Sequence, residues 1–404
     1  MKVLVLDTTH GGEVLSKIYK DRGDDVTCVD VYKVTPKDVM DRVAAYGIVS
    51  TDTVPKGEYD LVVMPCHCPD SFLDGCTYEK RIFFSDAVKE FIDNKRFRIE
   101  ITGVKGKTST CFILANILEK AGKKVFLHTS RGQGPWVNGD LKIEDKKSIA
   151  PVSLLTLPKG PYDVMICEVS LGGSGKADIA AVTNLIEDYG IARNSRKASE
   201  AKKAIFTDNI NIVPKDEMAF WRRYCKRTMI GYGGRIRVTG TPEFGSPIEI
   251  MLDYNGVQKV TLSPGYLSLQ YIEAMDLAAE IAHAMDISKK SVIEGLATFK
   301  GVPGRGEIFM VGDVRHVIER NPGISPISVE RTLSVLKQMN ALDNAYMIVD
   351  PVSKKVCDKM KSEDIKKVAE KYGVEMTLTK GDGVRPSVPL GKTTIIEFIK
   401  EGFQ

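Results

Sequence analysis

FRIEITGVKGKTSTCFILANILEKAG, residues 97–122, passes from a strand pattern to a helical one through a glycine loop. Phe97, Ile99 and Ile101 recur at every second position, as on one face of a strand, and STCFILANILEKAG reads as a helix. The link resembles a phosphate-binding loop, but the usual G-x-x-x-x-G-K-[ST] spacing calls for glycine at 101, where Ile101 stands. Gly103 is the only glycine shortly before Gly106. Both glycines let the backbone approach an anion, and the amides at the helix start face it. Lys107 has the reach for β- and γ-phosphates, and the Thr108 hydroxyl suits Mg²⁺. The alternative for the same residues is an ordinary turn between a strand and a helix.

The same alternation continues outward. VLVLD (3–7), VTCVDV (26–31) and LVVMP (61–65) read as buried strands, with a glycine-bearing turn, TTHGG, after the first. YDVMICEVS (162–170), IAAVTNL (179–185) and NINIVP (209–214) follow as strands. Residues 235–262, with Asn255-Gly256, read as an antiparallel excursion. Two helical stretches come next, then KGVPGRGE (300–307), rich in glycine and proline and read as a hinge. Strand and helix alternate again to residue 404. The fold class expected is α/β in three units: 1–95, 96–302 and 303–404.

A chain of 404 residues exceeds one ordinary core, which agrees with several units. The net charge of +4 is small for this length, so nucleic acid is not an expected partner. The sequence shows no run of about 18 apolar residues, so no membrane span is expected. The eight cysteines include no C-x-x-C pair, which fits free thiols in a reducing cytoplasm.

Four further features gather around the loop. Glu168 ends a strand, at the edge where open α/β sheets bind ligands. Thr183 and Asn184 form a polar strand end, and a basic helix carrying Lys202 and Lys203 follows. Arg305 lies between glycines in PGRGE. Taken singly, these are an ordinary solvated Glu, a solvated helix face and a turn arginine.

Together they resemble the Mur ligase superfamily. Its T-G-x-x-G-K-[ST] loop matches Thr102-Gly103-Val104-Lys105-Gly106-Lys107-Thr108. Its strand-end Glu-Val/Ala-Ser matches Glu168-Val169-Ser170, and its T-N-[IL]-x-x-D-H matches Thr183 to Asp188, followed by Tyr189. Its A-K-x-x-[IL]-F matches Ala201 to Phe206, its G-[VL]-x-G-R-x-E matches Gly301 to Glu307, and its H-N-P is represented by Arg320-Asn321-Pro322. The resemblance spans residues 97–404, and residues 1–95 suit the family's substrate-binding first domain.

The resemblance implies a three-domain Mur-ligase-like architecture. A Rossmann-like N-terminal domain and a Rossmann-like C-terminal domain flank a central P-loop ATPase domain. It implies a ligase that uses ATP and Mg²⁺ to activate a carboxylate as an acyl phosphate, which a nucleophile then attacks. ATP would meet Gly103, Val104, Lys105, Gly106, Lys107, Thr108, Ser109, Asn184, Arg305 and Asn321. Thr108 and Glu168 would hold the metal. Lys107, Glu168, Lys202 and Arg305 would serve the chemistry, and the lysine at the place of Lys202 is carbamylated in many members.

The departures point away from an ordinary cell-wall enzyme. Tyr189 replaces the histidine of a second metal site, Val317 replaces an aspartate that often holds ribose, and the asparagine near adenine has no clear partner around Gln270–Met275. Asp7-Thr8-Thr9-His10-Gly11-Gly12 and the short length look most like a methanogen branch of the family. That branch closes a carbocyclic ring on an anionic nickel tetrapyrrole, 15,17(3)-seco-F430-17(3)-acid. In that case His10 and Gly11 would face the substrate, with Arg193 and Arg196 as basic contacts. Cys66-His67-Cys68 with Cys76 lacks structural-zinc spacing. The competing expectations are an amide ligase of the Mur or folylpolyglutamate type and a nucleotide-binding regulator without catalysis.

Overall fold

The computed structural model describes residues 1–93, 95–320, 324–351, 362–379 and 386–400; Asn321 and Pro322 lie outside them. The chain forms two compact units. The first comprises residues 1–104, 128–132 and 147–231, and the second residues 105–127, 133–146 and 232–404.

The first unit begins with a parallel five-stranded sheet. Its strands are β1 (Lys2–Leu6), β2 (Asp25–Val29), β3 (Val49–Thr51), β4 (Gly57–Met64) and β5 (Cys76–Phe83), in the order β3-β2-β1-β4-β5. β1 is apolar and wholly buried from Val3 to Leu6, as a strand covered on both faces must be. Helices α1 (Glu13–Asp21), α2 (Lys37–Ala45) and α3 (Phe84–Phe91) connect or follow these strands. The chain leaves β1 toward β2 on one side, and β4 pairs on the other. This reversal opens a crevice at the carboxyl ends of β1 and β4, a usual ligand position in such sheets.

The strand predicted at 97–103 is β6 (Phe97–Thr102), and helix α4 (Lys107–Lys120) follows the loop. Strands β7 (Val125–Thr129), β8 (Gly132–Val137) and β9 (Asp140–Leu141) come next. β10 (Val164–Glu168) and β11 (Ile179–Val182) then pair with β6 on its two sides, both parallel. A short hairpin, β12 (Gly190–Ile191) and β13 (Arg196–Lys197), precedes α5 (Ala198–Lys202). β14 (Ile210–Pro214) pairs with β11, and α6 (Met218–Trp221) and β15 (Met229–Tyr232) complete this part of the chain.

In the second unit α4 is buried from Cys111 to Leu118, which accounts for its almost unbroken apolar sequence. It packs against α7 (Ile272–Ala284) and α8 (Lys289–Ala297). Gly295 permits the approach: a Cβ there would lie 2.6 Å from Ile117 Cα. The expected antiparallel excursion is β16 (Ile236–Thr239), β17 (Ile248–Asp253) and β18 (Val257–Leu262). The last sheet has the order β19-β20-β23-β21-β22. Its members are β19 (Arg305–Val311), β20 (Val314–Arg320), β21 (Ala345–Asp350), β22 (Glu375–Leu378) and β23 (Thr394–Ile399), with α9 (Pro326–Gln338) and α10 (Ser362–Tyr372). Val317, Leu333, Leu336, Met347, Ile365, Ile396 and Phe398 fill its core.

Candidate active site

At the carboxyl edge of β6 the chain turns sharply at Gly103, with φ 133°. A Cβ there would lie 2.0 Å from Thr183 Oγ1, so only glycine fits this turn. The Val104 amide donates to the Asn184 carbonyl (3.0 Å), and the Thr183 amide to the Thr102 carbonyl (2.8 Å). The polar end of β11 is therefore fastened to the start of the loop. From β10, Glu168 is 3% exposed, and its Oε2 accepts the Ser130 amide at 3.0 Å. The Val169 amide donates to the Ile101 carbonyl (2.9 Å), and Thr102 Oγ1 donates to the Ser170 carbonyl (3.3 Å).

Lys202, at the end of α5, is 1% exposed, and its Nζ donates to that same Ser170 carbonyl at 2.6 Å. Asp188 accepts from the Ser199 amide (2.9 Å) and Oγ (2.8 Å), which ties the T-N-L-I-E-D segment to α5. The Tyr189 ring lies 6.0 Å from Lys202 Nζ. Tyr189 is 45% exposed, and partial desolvation, with Cys66 and Asp188 nearby, pushes its phenol up. A neutral phenol is a poor metal ligand, unlike the histidine that the Mur ligase pattern carries at this place.

The second unit holds the cationic part of the loop. Gly106 precedes α4 at φ 84°, and Lys107 and Ser109 lie half-buried in the first turn. Thr108 is 2% exposed. Lys105 Nζ donates to Ser328 Oγ (3.0 Å) and Ser325 Oγ (3.4 Å) at the start of α9. Arg305 Nη2 lies 3.5 Å from Thr108 Oγ1, while the Arg305 backbone carbonyl accepts the Tyr271 hydroxyl at 2.6 Å. Among the described residues Arg305 Nε is buried without a hydrogen-bond partner. An unsatisfied guanidinium nitrogen beside the loop's threonine suits a phosphate oxygen. The hydroxyl of Thr108, in this unit, is a hard oxygen donor of the kind Mg²⁺ takes, and the carboxylate of Glu168, in the first unit, is separately another.

A second cluster lies at the crevice of the first sheet. Asp7, just after β1, is fully buried and has a left-handed backbone, φ 68°. Its Oδ2 accepts from His10 Nδ1 (2.6 Å) and His67 Nε2 (3.1 Å). Its Oδ1 accepts the His10 amide at 3.3 Å. Burial works against the Asp7 charge, but the two histidines outweigh it and hold the carboxyl down to about 2. Burial likewise opposes charge on His10, yet the hydrogen bond and charge of Asp7 raise its basicity above the ordinary value. Gly11 (φ 116°) lets the turn pack closely, since a Cβ there would lie 2.4 Å from Val152 Cβ.

His67 stacks on Tyr32 (centroids 5.7 Å, 24°) and meets His10 edge-on at 4.9 Å. Arg196 Nη1 donates to the carbonyls of Cys66 and Cys68, both at 3.0 Å, and so grips the turn that carries His67. Its other terminal nitrogen pairs with Asp70. Arg196 thus acts mainly on protein groups. Arg193 is exposed, with its guanidinium 5.6 Å from the Phe72 ring. Ala192, Arg193 and Asn194 all have positive φ, held by Ser195 bonds to the Ala192 carbonyl.

The structure therefore groups the expected residues into sets. Gly103, Val104, Asn184, Glu168 and Lys202 belong to one unit, together with His10, Arg193 and Arg196. Lys105 to Ser109 and Arg305 belong to the other. Sequence reasoning gave no role to Asp7 or Tyr32 and did not join His67 to His10. Asp7 and His10 stand three residues apart in one turn, whereas His67 reaches them only because β4 pairs with β1.

No protein-family model matches the chain. It is 28% identical over 420 residues to a coenzyme F(430) synthetase of Methanosarcina acetivorans, covering 93% of this chain and 88% of that protein. A coenzyme F(430) synthetase of Methanocaldococcus jannaschii is 29% identical over 218 residues, covering 50% of this chain and 48% of that one. Among solved structures, MurF of Acinetobacter baumannii matches with a TM-score of 0.58 at 15% identity, over 99% of this chain and 90% of that one. MurF ligase of Thermotoga maritima in complex with ADP matches with a TM-score of 0.55 at 15% identity, over 93% and 90%. The chain thus has the fold of the Mur ligases and is similar along most of its length to a coenzyme F(430) synthetase.

Proposed function

We propose that this protein is an ATP-dependent, ADP-forming ligase that closes a carbocyclic ring on a nickel tetrapyrrole. It would activate a propionate carboxylate of 15,17(3)-seco-F430-17(3)-acid as an acyl phosphate, and a carbon of the same molecule would attack it. The products are coenzyme F430, ADP and phosphate. The observation that carries this reading is the similarity to a coenzyme F(430) synthetase over 93% of the chain. The fold shared with an ADP-bound MurF supports nucleotide use.

In this reading Gly103 to Ser109, Asn184, Arg305 and Asn321 bind ATP. Lys107 and Arg305 balance charge on the transferring phosphoryl group. Thr108 and Glu168 would hold Mg²⁺, which when bound neutralises phosphate charge. Lys202 is well placed to support the loop through Ser170. His10 and Arg193 would face the tetrapyrrole, whose carboxylates call for cations.

The MurF likeness also favours a second reading, an amide ligase that joins an amino acid to a carboxylate. ADP release decides between them. Purified protein with ATP, Mg²⁺ and the seco-tetrapyrrole is expected to release ADP and yield the ring-closed product with no amine added. ADP release only on addition of an amino acid would establish the amide reading instead.

A further inference from the structure

We propose that His10 takes the proton from the substrate carbon that attacks the acyl phosphate, with Asp7 as its positioning residue. The inference rests on the proposed function, because only a carbon nucleophile must first lose a C–H proton.

Location gives the first argument. Asp7 follows β1 and His67 follows β4, neighbours in the sheet and flanking its chain reversal. The carboxyl end of such a reversal is where α/β sheets receive ligands. Asp7 holds a left-handed conformation there, unfavourable for a residue with a side chain. The strained turn brings the Asp7 carboxylate to the His10 ring.

Hydrogen bonding gives the second. His10 Nδ1 donates to Asp7, so in the neutral ring Nε2 carries the lone pair. Among the described residues no other group hydrogen-bonds that ring, and 42% of the side chain is exposed. His67 is held more tightly, by Asp7 on Nε2, by Tyr32 on its face and by Arg196 on both flanking carbonyls. His67 braces the carboxylate, and His10 keeps a free nitrogen. A buried carboxylate orienting an imidazole base is a recurrent device for proton transfer.

A metal centre would need Asp7, His67 and Cys68, whose ligand atoms lie within 4.8 Å of one another. Cys68 is fully buried, which pushes its thiol up to about 12, and Sγ accepts from the Tyr32 hydroxyl at 3.5 Å. Both histidines already bond one oxygen of Asp7. A carboxylate oxygen already engaged by two imidazoles suits a proton relay.

In the step proposed, His10 Nε2 takes the proton and the carbon keeps the electron pair. That pair attacks the acyl carbonyl and forms the C–C bond. The acyl C–O bond breaks, phosphate departs with its electrons, and the imidazolium passes its proton to solvent.

The test separates activation from closure in the full-length protein, using the seco-tetrapyrrole, ATP and Mg²⁺. Hydroxylamine traps acyl phosphate as hydroxamate, and product absorbance reports the ring. His10→Gln is expected to form hydroxamate within about threefold of wild type but to close the ring at least about 100-fold more slowly, the lower range for a positioned base. Added imidazole should restore part of the closure in His10→Ala. Ring closure in His10→Gln at the wild-type rate overturns the proposal. So does an equal loss of hydroxamate and ring in both His10→Gln and His10→Asn, which marks a binding or structural role. Wild-type protein that forms hydroxamate but never closes the ring overturns the proposed function itself.

Discussion

Glu319 is a carboxylate 7% exposed in β20, near Arg305 and within 3.5 Å of the Thr332 hydroxyl. Burial pushes it up to about 7, although Arg305, Gln270, Thr332 and the Gly306 amide all pull the other way. The folded state therefore holds its proton more tightly than the unfolded chain, where the carboxyl titrates near 4.5. Its contribution is full below pH 4.5 and is lost as pH rises through about 7. Glu319→Gln keeps the shape without the charge. At pH 8 the variant should be more stable than wild type by about 3 kcal/mol, taking about 1.4 kcal/mol per unit, and at pH 4.5 the two should be equal. Urea unfolding at both pH values checks this, and a constant difference would refute it. Sequence alone could not reveal this environment. VRHVIE reads as a strand, but burial beside Arg305 arises only where β19 and β20 pair at Arg305 and Glu319. Lys107, Glu168 and Arg305 stand out in the sequence because each lies in a short contiguous motif. Asp7 and His67 do not, being 60 residues apart.

β6 shows the limit of pattern reading for a whole element. Its alternation is real, but after the exposed Phe97 neither face meets solvent. Ile99 and Ile101 are fully buried, Arg98 is 5% exposed and Glu100 is buried completely. Arg98 Nε donates to Glu100 Oε1 at 2.7 Å, and the Ser174 amide donates to Glu100 Oε2 at 2.8 Å. Arg98 also reaches the carbonyls of Asp93 and Lys176, both at 3.2 Å. The charged pair is an internal clamp between β6 and the segment after β10. Glu100→Ala would strand a buried guanidinium and should cost about 3–5 kcal/mol. Replacing both residues with Leu and Met should cost less than the single change. Equilibrium unfolding of the three proteins decides it, and a single-variant loss below about 1 kcal/mol would falsify the clamp. Other elements were legible for local reasons. Asn255 (φ 52°) and Gly256 (φ 100°) take the left-handed turn their sequence announces between β17 and β18. β19 was hidden because its start, Arg305, lies in the glycine-rich run read as a hinge, and its register shifts between Arg305 and Glu307.

For the molecule as a whole, strand and helix alternate along the chain in three stretches, whereas contacts divide the described chain into two units. The backbone passes between those units at residues 104/105, 127/128, 132/133, 146/147 and 231/232. Module boundaries near 95 and 302 are a proposal about contiguous segments, and compactness follows a different rule: which side chains pack together. Chain connectivity is in the sequence, but the choice of packing partners is not. Thiol chemistry depends on that packing. Seven of the eight cysteines fall in the described chain, as thiols rather than disulfides. Five of these are buried, and only Cys66 and Cys76 are partly accessible. Burial pushes the Cys66 thiol up to about 11 even with Lys202 and Arg196 nearby, so little thiolate forms at neutral pH. Protein purified without reductant should therefore show eight reactive thiols toward an aromatic disulfide reagent in denaturant. In the native state Cys28, Cys68, Cys111, Cys167 and Cys225 should react only as fast as the protein opens. A denatured count of six would require a disulfide and overturn the free-thiol reading. Fast native modification of those five would show that the packing described around them is wrong.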